Sequence, residues 1–149
     1  MSENQVKEIM TVKQKLNFFW VGGCGIRIGH LMIEELESDS FSFEELYHAV
    51  VDSDGALMHL HFVRNASEKI VQLMKNHRIV PFQLGQEGQG AGADPEVGSN
   101  FAKESMKEIA ALIDSKDAVV IVHGAGGGTG SGAGPEIAKQ AVNSGKIAA

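Results

Sequence analysis

The 149-residue chain is 43% hydrophobic and 21% charged, a balance that fits a globular fold and excludes a disordered one. Its net charge of −6 argues against a protein that lies along nucleic-acid backbones, which call for a basic face, but leaves room for one small phosphorylated ligand held by backbone dipoles. The single cysteine, Cys24, forbids an intrachain disulfide, the start is polar and unlike a signal peptide, and the longest apolar run, Phe18–Val21 with its glycine neighbours, is far too short to span a bilayer; the expected location is cytoplasmic.

Residues 1–15 carry Val6, Ile9 and Met10 at loose helical spacing, an N-terminal tail or short helix. Leu16–Val21 is apolar, aromatic and stopped by glycines, a buried strand. Ile28, Leu31, Met32 and Leu36 then repeat at helical spacing, and Tyr47–Asp52 is a second strand. Asn65 stands as N-cap of the next helix, with Glu68 three residues on as a capping box. Arg78–Phe82 is a third strand, kept short because Pro81 has no N–H to donate to a ladder. The clearest helix opens with Asp94 as N-cap and Pro95 at its first position, and places Val97, Phe101, Ile109, Leu112 and Ile113 on one face. Ala118–Val122 is a fourth strand. Pro135 opens a last helix that stops near Asn143–Gly145, and Lys146–Ala149 begins a fifth strand.

Strand followed by helix, four times over, predicts an α/β fold: a Rossmann-like three-layer sandwich with a mostly parallel sheet. Ligands bind such sheets at the carboxyl ends of the strands, so the segments that follow the strands hold the functional signal. Three of the four are rich in glycine: "GGCGIRIG" (Gly22–Gly29), "LGQEGQGAGADPE" (Leu84–Glu96) and "HGAGGGTGSGAGPE" (His123–Glu136). Glycine allows backbone N–H groups to converge on an anion, and a helix N-terminus behind them adds roughly half a positive charge. One such loop is ordinary turn chemistry. Three on one sheet edge are not, because each glycine spends backbone entropy without burying a side chain.

The P-loop pattern G-x-x-x-x-G-K-[ST] is absent, and Gly23, Gly25 and Gly29 are spaced one residue too long for G-x-G-x-x-G. Asp52 and Asp54 nevertheless end the second strand where a dinucleotide-binding protein puts its ribose acid, which keeps an NAD-binding module as an alternative.

"GGGTGSG" (Gly126–Gly132) after a buried strand resembles the signature of the tubulin/FtsZ family. "GGCGIRIG" is similar to the tubulin form of that family's first loop, "GAGADPEVG" (Gly90–Gly98) to the FtsZ form of its third, and "VVDSD" to its second-strand end. The likeness runs over residues 16–149, with the motifs in order. It implies a partial GTP-binding (GTPase) domain at 16–149 of a filament-forming cytoskeletal GTPase serving cell division or a similar process, ending before the family's central helix and second domain. By the same resemblance, Gly126, Gly127, Gly128, Thr129, Gly130, Ser131 and Gly132 cradle the phosphates, with the Thr129 and Ser131 hydroxyls available to them. Gly22, Gly23, Cys24 and Gly25 line the diphosphate and base side, Asp54 lies near ribose and phosphates, and Gly90, Ala91, Gly92 and Ala93 approach the γ-phosphate. The implied cofactors are GTP or GDP with Mg²⁺ held mainly through the nucleotide. The implied partners are like subunits in a polymer or full-length relatives, with no nucleic acid and no membrane segment. The family's acidic, water-activating N-x-D-x-x-D/E stretch is absent from the chain, so a filament-capping or interaction fragment without hydrolysis of its own is the alternative, and no catalytic residue is assigned.

Some residues depart from the family pattern. Ile26, followed by Arg27, stands where asparagine is usual, and Asp94 adds a carboxylate whose simplest role is the helix cap. The stretch from His59 to Val80 is longer than the family's. Cys24 reads as a small buried residue beside the nucleotide. His59 and His61 have no third metal ligand in view.

Overall fold

The computed structural model describes residues 15–38, 45–85 and 90–149; the N-terminal tail or helix, and the middle of the acidic stretch between Glu34 and Leu46, lie outside the described residues. Strands β1 (Lys15–Val21), β2 (Glu45–Asp52), β3 (Ile79–Gln83), β4 (Ala118–His123) and β5 (Ile147–Ala148) form one sheet in the order β3-β2-β1-β4-β5, with every pair parallel. Val21 is level with both Val51 and His123, so the three central strands end together. The chain grows outward from β1 in one direction and then in the other, and this reversal opens a crevice at the carboxyl ends of β1 and β4.

The two sheet faces are covered by different helices. One carries α1 (Gly22–Leu36), α2 (Gly55–His59), a π-helical turn (Leu60–Arg64) and α3 (Glu68–Lys75) over Trp20, Ile26, Ile33, Val50, Phe62, Ile70 and Ile79. The other carries α4 (Pro95–Glu104), α5 (Met106–Asp114) and α6 (Gly128–Asn143) over Phe19, Val21, Val51, Ile109, Ile113 and Ile137. Strand side chains alternate between faces, which is why Trp20 belongs to one core and its neighbours Phe19 and Val21 to the other. The three-layer α/β reading holds.

Several element bounds differ from the sequence reading, each for a local reason. Ser67, not Asn65, caps α3: its hydroxyl accepts from the Ile70 N–H, which leaves Glu68 as the first helical residue. The long helix beginning at Pro95 is bent at Ser105, whose dihedrals leave the helical region although backbone bonds continue on both sides, Ser105 N–H to Phe101 O and Ile109 N–H to Ser105 O. The stretch from His59 to Val80 is taken up by the π-turn and α3.

The largest correction concerns the glycine segments. "GGCG" is not a loop before a helix but the first turn of α1, and Pro135 does not open α6 but lies inside it, seven residues after Gly128. The proline ring is exposed, so the Ser131 carbonyl that it leaves without an N–H lies on the outer side of the helix. Most of these glycines are buried, and they are small because backbone passes directly over them. A Cβ on Gly132 would lie 2.1 Å from the Pro95 carbonyl, one on Gly98 2.3 Å from the Gly128 carbonyl, and one on Gly25 2.4 Å from the Val122 carbonyl. Helices α4 and α6 therefore cross with their backbones in contact, and α1 sits down on β4.

Gly132→Ala is expected to lower the unfolding free energy by about 1–3 kcal/mol, the usual penalty of overpacking, whereas Gly126→Ala, which meets nothing within 4 Å, is expected to cause no loss. Urea unfolding of the two variants side by side checks the distinction; equal stability would mean that the α4–α6 contact relaxes without cost.

Candidate functional site

The helices that begin at the sheet's carboxyl edge are of two kinds. Asp54 caps α2 by accepting from Ala56 N–H, and Asp94 caps α4 by accepting from Glu96 N–H at 2.8 Å. Helices α1 and α6 have no side-chain cap; they start at Val21 and Gly127, with no acidic residue in either first turn. Their leading N–H groups have no intrahelical acceptor, and their dipoles point the same way, into the crevice. The two ends touch: a Cβ on Gly22, which also has φ +71°, would lie 2.7 Å from the Gly130 nitrogen.

Two adjoining cavities lie over these ends. One, of about 210 Å³, is lined by Gly23, Asp52, Ser53, Asp54, Leu57, Gly90–Ala93 and Gly127–Gly130. The other, of about 250 Å³, is lined by Val21, Gly22, Gly23, Cys24, Gly124, Gly126, Gly127 and Gly130. They share Gly23, Gly127 and Gly130, so together they form one trough across the start of α6. Among the described residues no lysine or arginine lines it, so its floor offers backbone N–H groups, with the Arg27 guanidinium held on the Gly23 carbonyl at the edge. Gly126 and Gly127 have nothing within 4 Å of where a Cβ would be, so the space above them is open to a ligand.

The acids of the trough are not equivalent. Asp54 is exposed and turned to its cap. Asp52 is 3% exposed; its Oδ1 accepts from the Ser53 and Asp54 N–H groups at 2.8 and 3.2 Å, while its Oδ2 is buried without a partner. Burial pushes the Asp52 carboxyl above the usual carboxylate range, against the opposing pull of those backbone donors and of the nearby Thr129 hydroxyl. Beside it, Ser53 Oγ lies 2.6 Å from Thr129 Oγ1 and accepts from Ala91 N–H at 3.0 Å.

This fold and this trough were compared with known proteins. The model of the "Tubulin/FtsZ family, GTPase domain" matches residues 15–148. The chain belongs to the tubulin/FtsZ family. It is 37% identical to the cell division protein FtsZ of Caulobacter vibrioides (strain NA1000 / CB15N) over 132 residues, which are 86% of this chain and 22% of that one. It is 29% identical over 147 residues to the cell division protein FtsZ 1 of Pyrococcus horikoshii, covering 99% of this chain and 35% of the relative. The solved structure of an empty FtsZ dimer from M. jannaschii superposes with a TM-score of 0.70 at 24% identity, over 98% of this chain and 38% of that chain, and thereby shares the fold. The chain thus spans between about a fifth and about a third of the curated relatives' length.

Within this tubulin/FtsZ GTPase-domain fold, the trough gathers Gly22, Gly23, Cys24, Asp54, Gly90, Ala91, Gly92, Ala93, Gly126, Gly127, Gly128, Thr129 and Gly130. It does not include Gly25 or Gly132, whose missing side chains make room for Val122 and Pro95, nor Ser131, whose hydroxyl donates to the Gly124 carbonyl. Cys24 is exposed at the trough's rim, not buried as its size suggested, because the third position of α1 faces outward while Gly22 faces the start of α6 and Gly25 faces the sheet. Ile26 points away from the trough into the core beside Trp20, so its apolar side chain takes nothing from a ligand. Arg27 lies along α1 with its guanidinium on the Gly23 carbonyl. His61, in the π-turn, meets His30 with the rings tilted at 56° and their centroids 5.0 Å apart; among the described residues no three metal-binding side chains come together. The lining residues outside the motif reading are Val21, Asp52, Ser53, Leu57 and Gly124; of these Asp52, weighed only as a dinucleotide's ribose acid, and Ser53 carry polar side chains. Their signal was positional: polar residues at the end of an otherwise buried strand.

A raised carboxyl pKa means that the folded chain holds its proton more tightly than the unfolded chain. Asp52 therefore detracts from stability as pH rises from the unfolded value near 3.8 towards the higher folded one, and the penalty is constant above it. Asp52→Asn is expected to gain stability over the parent across that window and to keep the gain at neutral pH. Thermal melts of both chains from pH 3.5 to 7 without divalent cations check this; parallel curves would contradict it.

Proposed function

We propose that the chain is a guanine-nucleotide-binding unit, with the nucleotide's phosphates lying in the trough against the N-termini of α6 and α1. The observation that carries the reading is the pair of uncapped helix ends converging on open glycine backbone. A multiply charged phosphate chain supplies what the Gly127–Gly130 and Gly22–Gly23 amides lack, and a bulkier ligand would need the side chains that these positions do without. In this reading Gly126–Gly130 and Thr129 hold the phosphates, Gly22, Gly23 and Cys24 border the diphosphate and base side, Asp54 lies towards the ribose, and Gly90–Ala93 approach the terminal phosphate. Ser131, Gly25 and Gly132 support the cradle from beneath.

Mg²⁺ fits the donor set. Asp52 Oδ2 is a hard oxygen, buried and unpartnered at the trough wall, and Mg²⁺ binds through one or two carboxylates together with substrate phosphates and its own waters. Bound there with the nucleotide, the ion would offset the charge of carboxylate and phosphates together. The residues themselves exclude water from beneath the phosphates, orient them by backbone N–H groups, and set the Thr129 hydroxyl against them.

The relatives are cell division proteins, and the reading extends to their setting: a cytoplasmic polymer of like subunits, with 16–149 as part of the nucleotide domain. Among the described residues no helix is long and apolar enough to cross a membrane. The trough does not favour a dinucleotide: Asp54, just beyond β2, is committed to the α2 cap, Asp52 is buried in the trough wall, and the Gly-x-Gly-x-x-Gly turn is missing.

Isothermal titration with GTP, GDP and ATP, each with and without Mg²⁺, tests the reading. GTP and GDP are expected to bind, more tightly with the cation. Gly127→Val, which puts a side chain into the open trough, is expected to weaken both at least about tenfold, the equivalent of 1.4 kcal/mol. Absence of binding by every nucleotide at millimolar concentration would end the proposal.

A further inference from the structure

Three segments far apart in the chain meet on one hydroxyl. Ser53, fully buried at the end of β2, is 38 residues from Ala91 and 76 from Thr129, and touches both. The Ala91 N–H can only donate, so Ser53 Oγ accepts there. Across the 2.6 Å to Thr129 Oγ1 either hydroxyl can donate. With Ser53 as the donor, the Thr129 hydrogen is free to turn into the trough, towards Asp52 or towards a bound anion.

The loop that Ser53 holds needs holding. Gly92 and Ala93 both lie in the left-handed region, at φ +57° and +62°, and for alanine this costs roughly 1–2 kcal/mol. The turn is closed by Asp94 N–H to the Ala91 carbonyl at 2.9 Å and rests on the first residue of α6: a Cβ on Gly128 would be 2.8 Å from the Ala91 Cβ and 2.7 Å from the Asp94 nitrogen. Among the described residues, Gly90 and Gly92 have nothing within 4 Å of a Cβ, and residues 92–94 are exposed. Among the described residues, the Ser53 bond ties the near end of the loop to the cradle.

We propose that Ser53 is a positioning residue that locks the Gly90–Ala93 loop onto Thr129, and so sets the preference of the site for a nucleoside triphosphate over a diphosphate. The inference rests on the nucleotide reading above. In that reading the cradle meets the phosphates that both nucleotides have, while the loop meets only the terminal one. Loosening the loop therefore costs affinity for one ligand and not the other. A residue that merely stabilised the fold would weaken both alike.

Two variants test it. Ser53→Ala removes the hydroxyl, and Ser53→Cys keeps most of the volume while replacing a strong acceptor with a weak one, so that a folded protein remains if the alanine leaves too large a defect. In the nucleotide-free chain, amide exchange at Ala91 is expected to quicken about tenfold in either variant. By titration, GTP affinity is expected to fall about fivefold relative to GDP affinity, the effect of one hydrogen bond. Unchanged exchange at Ala91, or equal losses for GTP and GDP, would overturn the role given to Ser53 while leaving the nucleotide reading intact. A parent chain that binds neither nucleotide would overturn both, whatever the exchange data show.

Discussion

The first turn of α6 lies in backbone contact with its surroundings, and the rest of the site depends on that contact. Gly128 meets the Asp94 backbone and Ala91, Gly130 meets Gly124 and the Val21 carbonyl, and Gly132 meets Pro95 and Ser99. A side chain at any of these positions would push α6 outward and separate it from α4, α1 or the sheet. The helix N-terminus would then no longer lie level with that of α1, and the amides that now face one trough would face two. The glycines thus serve geometry more than flexibility. The same spacing that brings the backbones together leaves Gly126 and Gly127, at the lip, open to a ligand.

Electrostatics follows from this packing. An acidic chain can hold phosphates without a basic side chain only if several backbone donors are aimed at one place and kept free of competing acceptors. At the carboxyl edge side chains cap α2 and α4 but not α1 and α6, which keeps the donors of the last two available. Asp52 works against them. Its carboxylate is buried beside the cradle with one oxygen unpaired, an arrangement that is costly in the free chain and sensible beside a cation that also takes phosphate oxygens. The trough is therefore a balance between backbone dipoles and one carboxylate, and Thr129, linked to Ser53, stands between them.

Much of this could be read from the chain. The strands were legible because parallel strands buried on both faces are continuous apolar runs, and Asp94–Pro95 announced α4 because cap and first-turn chemistry is local. The sequence misled where a residue's usual meaning depends on what packs against it. Glycine runs mean turns unless a neighbouring backbone needs the space, and nothing within "GGCG" or "GGGTGSG" shows that α4, β1 and β4 come so close. Pro135 usually begins a helix; here an exposed face let the helix run through it. Ser67 took the cap from Asn65 because the π-turn carries the chain on past Asn65, whose N–H is still bonded to the Leu60 carbonyl.

What the sequence by itself determined is the alternation of strands and helices, the family motifs and the edge of the sheet at which they gather, since all of these rest on local pattern and on the parallel connection that alternation imposes. What only the tertiary structure decided is which motif residues face the trough and which serve as packing, and that Asp52 and Ser53 belong to the site. Those outcomes turn on distances between segments tens of residues apart. Gly132 is a contact for α4, Ile26 is core, and Ser53 is a junction of three segments only because the sheet order places β2, the Gly90–Ala93 loop and the start of α6 within hydrogen-bond reach.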